Sequence, residues 1–352
     1  MRKVLTAVIM LLTVSSAAVF AAGGDPFAFL KLGIGTRATG MGCAFTSVAD
    51  DASAAYYNPA GTVKLSGLEF MAETYILSFG RNVNYIATAK PFILNGTTYA
   101  AGFSWINYSA GSDIQARMTN SPDADSLISD SSNIFLFNVS AKVSDRVSLG
   151  GNFKFLFESL GNYRGTGVGF DIGGMVNIID RLNAGISFTG ISTNISWNSN
   201  NHSESLPQVV TTGLSYKYVN MFGAAGLSIL PSMDVVYNSF SGTKARAGAE
   251  LSVNDFFFVR AGYNDSLTVG AGVRLKPSDI FSVKIDYAYA ADTVEPGASN
   301  HRIGAVIVYV FPETGVEHRS VSEIRAPQST GEKQDKPAEQ PKKNEHLEDY
   351  EW

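Results

Sequence analysis

The stretch "LTVGAGVRL", residues 267–275, decides the fold class. Leu267, Val269, Ala271, Val273 and Leu275 alternate with Thr268, Gly270, Gly272 and Arg274, which is the period of two that a β-strand imposes on its side chains. One face is aliphatic and the other is small or charged. "VKIDYAYA" repeats the arrangement, with Val283, Ile285, Tyr287 and Tyr289 against Lys284, Asp286 and Ala288. "ARAGAEL" sets Arg246, Gly248 and Glu250 on its polar side. From residue 67 onward nearly the whole chain reads this way. A soluble sandwich would bury the apolar face against a second sheet. A transmembrane barrel would turn that face to lipid and the polar face to its lumen.

Four features favour the barrel. Many segments have the ~9–11 residues that a tilted strand needs to cross a bilayer. Glycine, 34 of 352 residues, is concentrated on the polar face, where a closed lumen is crowded. Tyrosines and phenylalanines gather at strand ends, as aromatic girdles do. Connections alternate: tight turns at "VSDRV" (143–147), "IDRL" (179–182), "VND" (253–255) and "KPSD" (276–279) separate polar loops at 158–167, 193–207 and 291–301. A first count gives fifteen strands, including "DIQARM" (113–118). Assigning 109–132 to one loop leaves fourteen, running from 67–79 to 302–311 and including 208–218 and 222–237. An even number restores turn parity and puts both ends of the barrel on one side. The fold class is therefore all-β, a fourteen-stranded antiparallel transmembrane β-barrel with a short N-terminal helical plug.

The flanks divide the chain further. Arg2 and Lys3 precede the apolar run Val4 to Val14, and Val19-Phe20-Ala21 suits a cleavage site, so residues 1–21 read as a signal peptide. Lipidation needs a cysteine directly after that run, whereas the single cysteine is Cys43, which also rules out an internal disulfide. Beyond the signal no apolar run approaches the ~18 residues of a transmembrane helix. Residues 22–66 are too polar and glycine-rich for wall and form a hatch. Residues 67–312 form the barrel. The tail, 313–352, carries ten acids and six bases with almost no core formers, and reads as a disordered periplasmic segment. A net charge of −5 gives no support for a nucleic-acid partner.

Within the hatch, "DDASAAYYNPAG" (50–61) reads as a short helix capped by Asp50 or Asp51 and stopped at Asn58-Pro59. The longer stretch "LGIGTRATGMGCAFTSVADDASAAYYNPAG" (32–61) resembles the N-terminal signature of the PorV/PorQ family, within the wider group of FadL-like outer-membrane barrels. Its elements are Gly35, Arg37-Ala38, Gly40-Met41-Gly42, Ala44-Phe45, Ala49 to Ala52 and Asn58-Pro59-Ala60-Gly61. Cys43 departs from the small residue expected there, and the charged tail departs too. The resemblance implies a fourteen-stranded barrel with an N-terminal hatch in the bacterial outer membrane. It also implies two function classes: passage of hydrophobic small molecules, slightly favoured, and an accessory of protein secretion or surface attachment acting through protein contacts. A periplasmic partner reached through the tail belongs to the second.

Candidate chemistry is sparse. Asp50 and Asp51 could pair for acid–base work, but helix capping and the helix dipole explain them better. With Asn58, Pro59 and Gly61 they make up the hatch motif. "GIGTRA" (33–38) fits a loose dinucleotide pattern without the βαβ unit that pattern requires. His202, His301, His318 and His346 lie in loops, the tail or a strand edge without metal-ligand or triad spacing, so neither a metal, a cofactor nor an enzyme activity is expected. The remaining group is lumenal: Arg246, Glu250, Arg260, Arg274, Lys284 and Asp286 share the polar face of successive strands ~4.8 Å apart. Such a ladder could bind an anionic head group or gate a pore. The better reading is a salt-bridged filling that braces the wall against the hatch, because charges in a low dielectric must be paired.

Overall fold

Fourteen strands form the wall in a computed structural model that describes residues 26–111, 114–117, 123–199, 203–291 and 299–311. They are β1 (Leu68–Ile76), β2 (Asn82–Leu94), β3 (Thr97–Ser109), β4 (Asp130–Lys142), β5 (Val147–Leu160), β6 (Tyr163–Ile179), β7 (Leu182–Trp197), β8 (Val209–Tyr216), β9 (Leu227–Asn238), β10 (Gly242–Val253), β11 (Phe257–Asn264), β12 (Ser266–Ser278), β13 (Phe281–Ala291) and β14 (Ser299–Tyr309). Each pairs antiparallel with its sequence neighbours, and β1 pairs with β14 from Leu68↔Tyr309 to Ile76↔His301. The sheet therefore closes and leaves no edge. The signal peptide, its cleavage site, the tail and His202, His318 and His346 lie outside the described residues.

The side chains face as the period-two pattern requires. On β12, Thr268, Gly270 and Gly272 are buried, while Leu267 (72% exposed), Val269 and Leu275 point outward. The outward positions around the ring are mostly large and apolar, among them Phe70, Phe137, Phe155, Ile172, Ile285 and Ile303. A soluble protein does not leave so continuous an apolar belt in water. The core lies inside the barrel, between wall and plug.

At the end where β1 begins, connections are short. Asn95-Gly96 turns β2 into β3 with φ of 51° and 78°, and Asn254-Asp255 turns β10 into β11 with φ of 54° and 52°. Left-handed pairs of this kind match the twist of a hairpin. The other end mixes longer connections with tight ones, since only Asp265 separates β11 from β12 and Gly161-Asn162 separates β5 from β6. Residues 109–132, read as one loop, contain a small hairpin, Ile114–Ala116 with Ser126–Ile128, which pairs only with itself, and β4 starts at Asp130.

Five expectations change. "ESLGNYRGTG" (158–167) is no loop: β5 and β6 run on and turn at Gly161-Asn162, because Leu160 pairs with Tyr163. In 193–207, β7 continues to Trp197 and Ser203–Ser205 pairs back onto it. The strand expected at 222–237 begins at Leu227, and 217–226 makes a separate excursion at the short-turn end. In the plug, the expected single helix is two: Ala54–Tyr57 is one helical turn, and Pro59–Lys64 is a 3-10 helix. Asn58 joins them, its side chain capping Ala60 N at 3.2 Å, with Pro59 at a first-turn position where its missing N–H costs nothing. Ser53 holds the N-cap position of the first helix without a side-chain cap bond, and Asp51 instead accepts from Ser53 N (3.0 Å) and Ser53 Oγ (2.5 Å).

Candidate functional site

The plug sits in the lumen because glycines let its backbone touch the wall. A Cβ on Gly42, which has φ 61°, would lie 2.4 Å from Tyr263 N and 2.5 Å from Ala247 O. On the wall side, a Cβ on Gly248 would lie 2.1 Å from Met41 O. Gly150, Gly173 and Gly185 leave similar room for Pro59, Asn58 and Thr46. Gly61 packs against Ala49 within the plug, where a Cβ would lie 2.0 Å from Ala49 O. These contacts give the glycines on the lumenal face a cause.

Polar side chains of the wall then satisfy the plug's irregular backbone, which has no sheet partner of its own. Asp234 on β9 accepts from Phe45 N and Thr46 N, both at 3.0 Å. Glu73 on β1 accepts from Thr36 N at 2.9 Å. Asn152 on β5 donates to Ala55 O, and Asn138 on β4 donates to Pro59 O. Asn58 returns the favour, donating to Gly174 O and Thr46 O at 3.0 Å each. Arg302 on β14 donates to Leu32 O, Gly33 O and Thr39 Oγ1, and its guanidinium lies over the Tyr75 ring.

Four of the six ladder residues meet in one ion-pair network with the plug. Arg37 binds Asp50 (2.5 Å), Asp51 (3.2 Å) and Glu250 (2.8 Å). Glu250 also binds Arg260 (2.6 Å), Arg260 binds Asp286 (2.7 Å), and Lys284 approaches Asp286 at 3.6 Å. Burial pushes the Asp50 carboxyl up, but Arg37 and then Lys64 hold it below the ordinary carboxylate range. The other two ladder residues lie elsewhere. Arg246 bonds Asn264 Oδ1 at 3.1 Å toward the loop end. Arg274 pairs with Asp255 (2.7 Å) at the short-turn end. Burial raises the Asp255 carboxyl there, and Arg274 with Lys276 outweighs it and holds it low.

The plug has a polar cavity on one side and a packed apolar cluster on the other. At the short-turn end is a polar cavity of about 700 Å³, faced by Arg37, Asp50, Lys64, Glu69, Lys217 and Arg274 among others. Toward the loop end the wall is apolar: Tyr75, Leu77, Val83, Tyr85, Ile106, Ile134, Leu156 and Ile195 are buried around the plug's first segment, Phe27 to Leu32. Phe29 stacks on Tyr108 with ring centroids 4.6 Å apart. Asp234, Glu73, Arg302 and the two wall asparagines were not singled out as site residues from the sequence, and their inward positions in the period-two pattern were the available signal. Arg37, on the plug helix, was read only as part of the motif at 32–61.

The class is thus a closed fourteen-stranded barrel whose lumen is filled by an N-terminal plug. Among solved structures it is similar to the CymD monoaromatic hydrocarbon channel, with TM-score 0.55, 13% identity and coverage of 80% of this chain and 98% of that one. It is also similar to the Pseudomonas putida toluene transporter TodX (TM-score 0.54, 11% identity, 79% and 97% covered) and to a Pseudomonas aeruginosa FadL homologue (0.52, 12%, 79% and 98%). At these identities the likeness is one of fold. No protein-family model and no curated protein matches the chain in sequence.

Proposed function

We propose that the protein sits in the bacterial outer membrane and passes hydrophobic small molecules through its lumen. The observation that carries this reading is the apolar wall packed around Phe27 to Leu32, on the opposite side of the plug from the polar cavity. A water-filled porin needs a polar lumen throughout. Here a ligand that takes the place of Phe27 to Leu32 meets aromatic and aliphatic walls, and burying its surface there supplies ~25 cal/mol per Å². The apolar belt and the fold shared with hydrocarbon channels support the location and the ligand class. Monoaromatic hydrocarbons are the first ligands to try. The narrower PorV/PorQ placement rests on the motif at 32–61, whose Asn58, Pro59 and Gly61 carry plug contacts.

Crystals soaked in bromobenzene test the reading. Bromine should appear beside Tyr108 and Ile195, in the place of the displaced segment Phe27 to Leu32, and Ile195→Asp should remove it. Uptake of labelled toluene by expressing cells should exceed a vector control and fall in the same variant. Bromine confined to the outer belt, with no uptake difference, would sink the proposal.

A further inference from the structure

The excursion at 217–226 opens with Lys217 and Asn220, but its tip is an exception among the connections at the short-turn end. Its neighbours carry charges or amides: Asn95-Gly96, Ser144-Asp145-Arg146, Asp180-Arg181, Asn254-Asp255 and Asp279. From Tyr218 to Met233 there is no charged residue, and the tip reads Met221-Phe222-Gly223-Ala224-Ala225-Gly226. Phe222 is 93% exposed, more than any other large hydrophobic among the described residues. Its backbone is left-handed, with φ 53°, followed by Gly223 at 77°. A bulky residue there costs on the order of 1–3 kcal/mol and persists only where the surroundings hold it.

The surroundings do hold it. Gly223 N donates to Asn220 O (3.2 Å), Ala224 N to Met221 O (2.9 Å) and Leu227 N to Ala224 O (3.3 Å). Asn254 N, in the adjacent turn, donates to Gly226 O at 2.7 Å. The loop is thus folded, with much of its backbone bonding met internally, and it presents an uncompensated phenyl ring. The same local shape recurs at the other end of the wall. Ser78-Phe79-Gly80 has Phe79 at φ 61° and Gly80 at φ 70°, and Phe79 is 66% exposed.

The wall between these ends has a suitable height. β9 has 12 residues. At ~3.3 Å per residue and a tilt of ~40° such a strand rises roughly 30 Å, close to the ~25 Å apolar band of a membrane barrel with its two interfaces. Lys217, Val219, Asn220 and Gly226 face the polar cavity, whereas Phe222 is not among its lining residues; Tyr218 in the same loop and Phe257 at the start of β11 are exposed as well.

We propose that the loop 218–226 is a membrane anchor: Phe222 and the uncharged tip insert into the headgroup layer of the leaflet at the short-turn end, and Phe79 does the same at the opposite face. An aromatic ring gains most in that layer, where its body is desolvated without reaching the alkane core. The strained Phe-Gly turns hold both rings exposed, so that the pair sets the height of the barrel in the bilayer. This rests on the reading of the barrel as membrane-spanning.

The test uses the full chain in lipid nanodiscs, with bimane attached at Phe222→Cys. Cys43 is buried and should stay unlabelled, as wild-type protein will verify. Ile285→Cys on the outer belt and Asp145→Cys in a charged turn serve as references. The label at 222 should be quenched by nitroxide carried near the lipid carbonyls, be shielded from iodide, and emit to the blue of the label at 145. Should the belt label respond to nitroxide lipid while the label at 222 behaves like the one at 145, the anchor is refuted and the barrel reading stands; a protein partner for the loop would then be the alternative. Should the belt label itself be open to iodide and blind to nitroxide lipid, the membrane reading fails, and the anchor with it.

Discussion

Arg260 shows how one lumenal residue ties wall to plug. Its guanidinium is fully buried between Glu250 and Asp286, and Glu250 passes the connection to Arg37 of the plug. Two carboxylates this close are tolerable only with the cation between them, since a buried pair loses several kcal/mol of solvation per ion before attraction repays it. Removing Arg260 leaves Glu250 to Arg37 alone and Asp286 to the longer contact with Lys284. Arg260→Met should therefore destabilise the folded barrel by about 3–5 kcal/mol, read as a lower midpoint of heat-modifiable gel mobility. Adding Glu250→Gln and Asp286→Asn in the same chain should recover much of the loss, because the three sites are in contact and their effects are not additive. If the triple variant is as weak as the sum of the single ones, the network is not a unit. Arg246 and Arg274 share its face, yet they are not part of it. Periodicity tells which face a residue occupies, whereas partner and height follow from register. Glu250 stands opposite Arg260, while Arg246 stands opposite Asp234, four residues up the strand, or ~13 Å away.

The plug is the element on which function turns, and it is held in two different ways. Residues 45 to 62 are locked by Asp234, Asn138, Asn152 and Asn58, and by glycine contacts with no spare room. The first segment, Phe27 to Leu32, rests instead on apolar contacts, on the Tyr56 hydroxyl donating to Leu30 O, and on the carbonyl bonds that Arg302 makes to Leu32 and Gly33. Arg302→Met keeps the volume and removes those donors. Amide hydrogen exchange across 27–33 should then accelerate, while the Ala44–Thr62 region keeps its protection. Uniform acceleration over the whole plug would show that it opens as one piece. The sequence made the plug legible as an element, through its glycines, Asn58-Pro59 and the two aspartates. It did not reveal the division of the helix at Asn58, because an Asn-Pro pair that ends one helix and starts the next looks the same as one that only ends it.

For the whole molecule, the strand count was legible because a closed wall must alternate at every position and return to its start. The ends were not, because composition stops matching strand once the chain leaves the apolar belt. Ser159 and Arg164 pair across β5 and β6 although both are polar, so a continuing hairpin resembled a loop. Closure leads to the last prediction. β14 ends at Tyr309, Val310 N donates to Ile280 O, and Lys90 lies 3.8 Å from the centre of the Phe311 ring. Every wall bond needed to close the ring against β1 is therefore made before residue 312. Deleting 313–352 should leave assembly, heat-modifiable mobility and toluene uptake unchanged. We propose that the tail, with ten acids and six bases, tethers a periplasmic partner, and the deletion should then reduce crosslinked recovery of that partner. A truncated chain that fails to assemble would make the tail part of the fold. One that assembles and keeps every crosslinked partner would remove the tether.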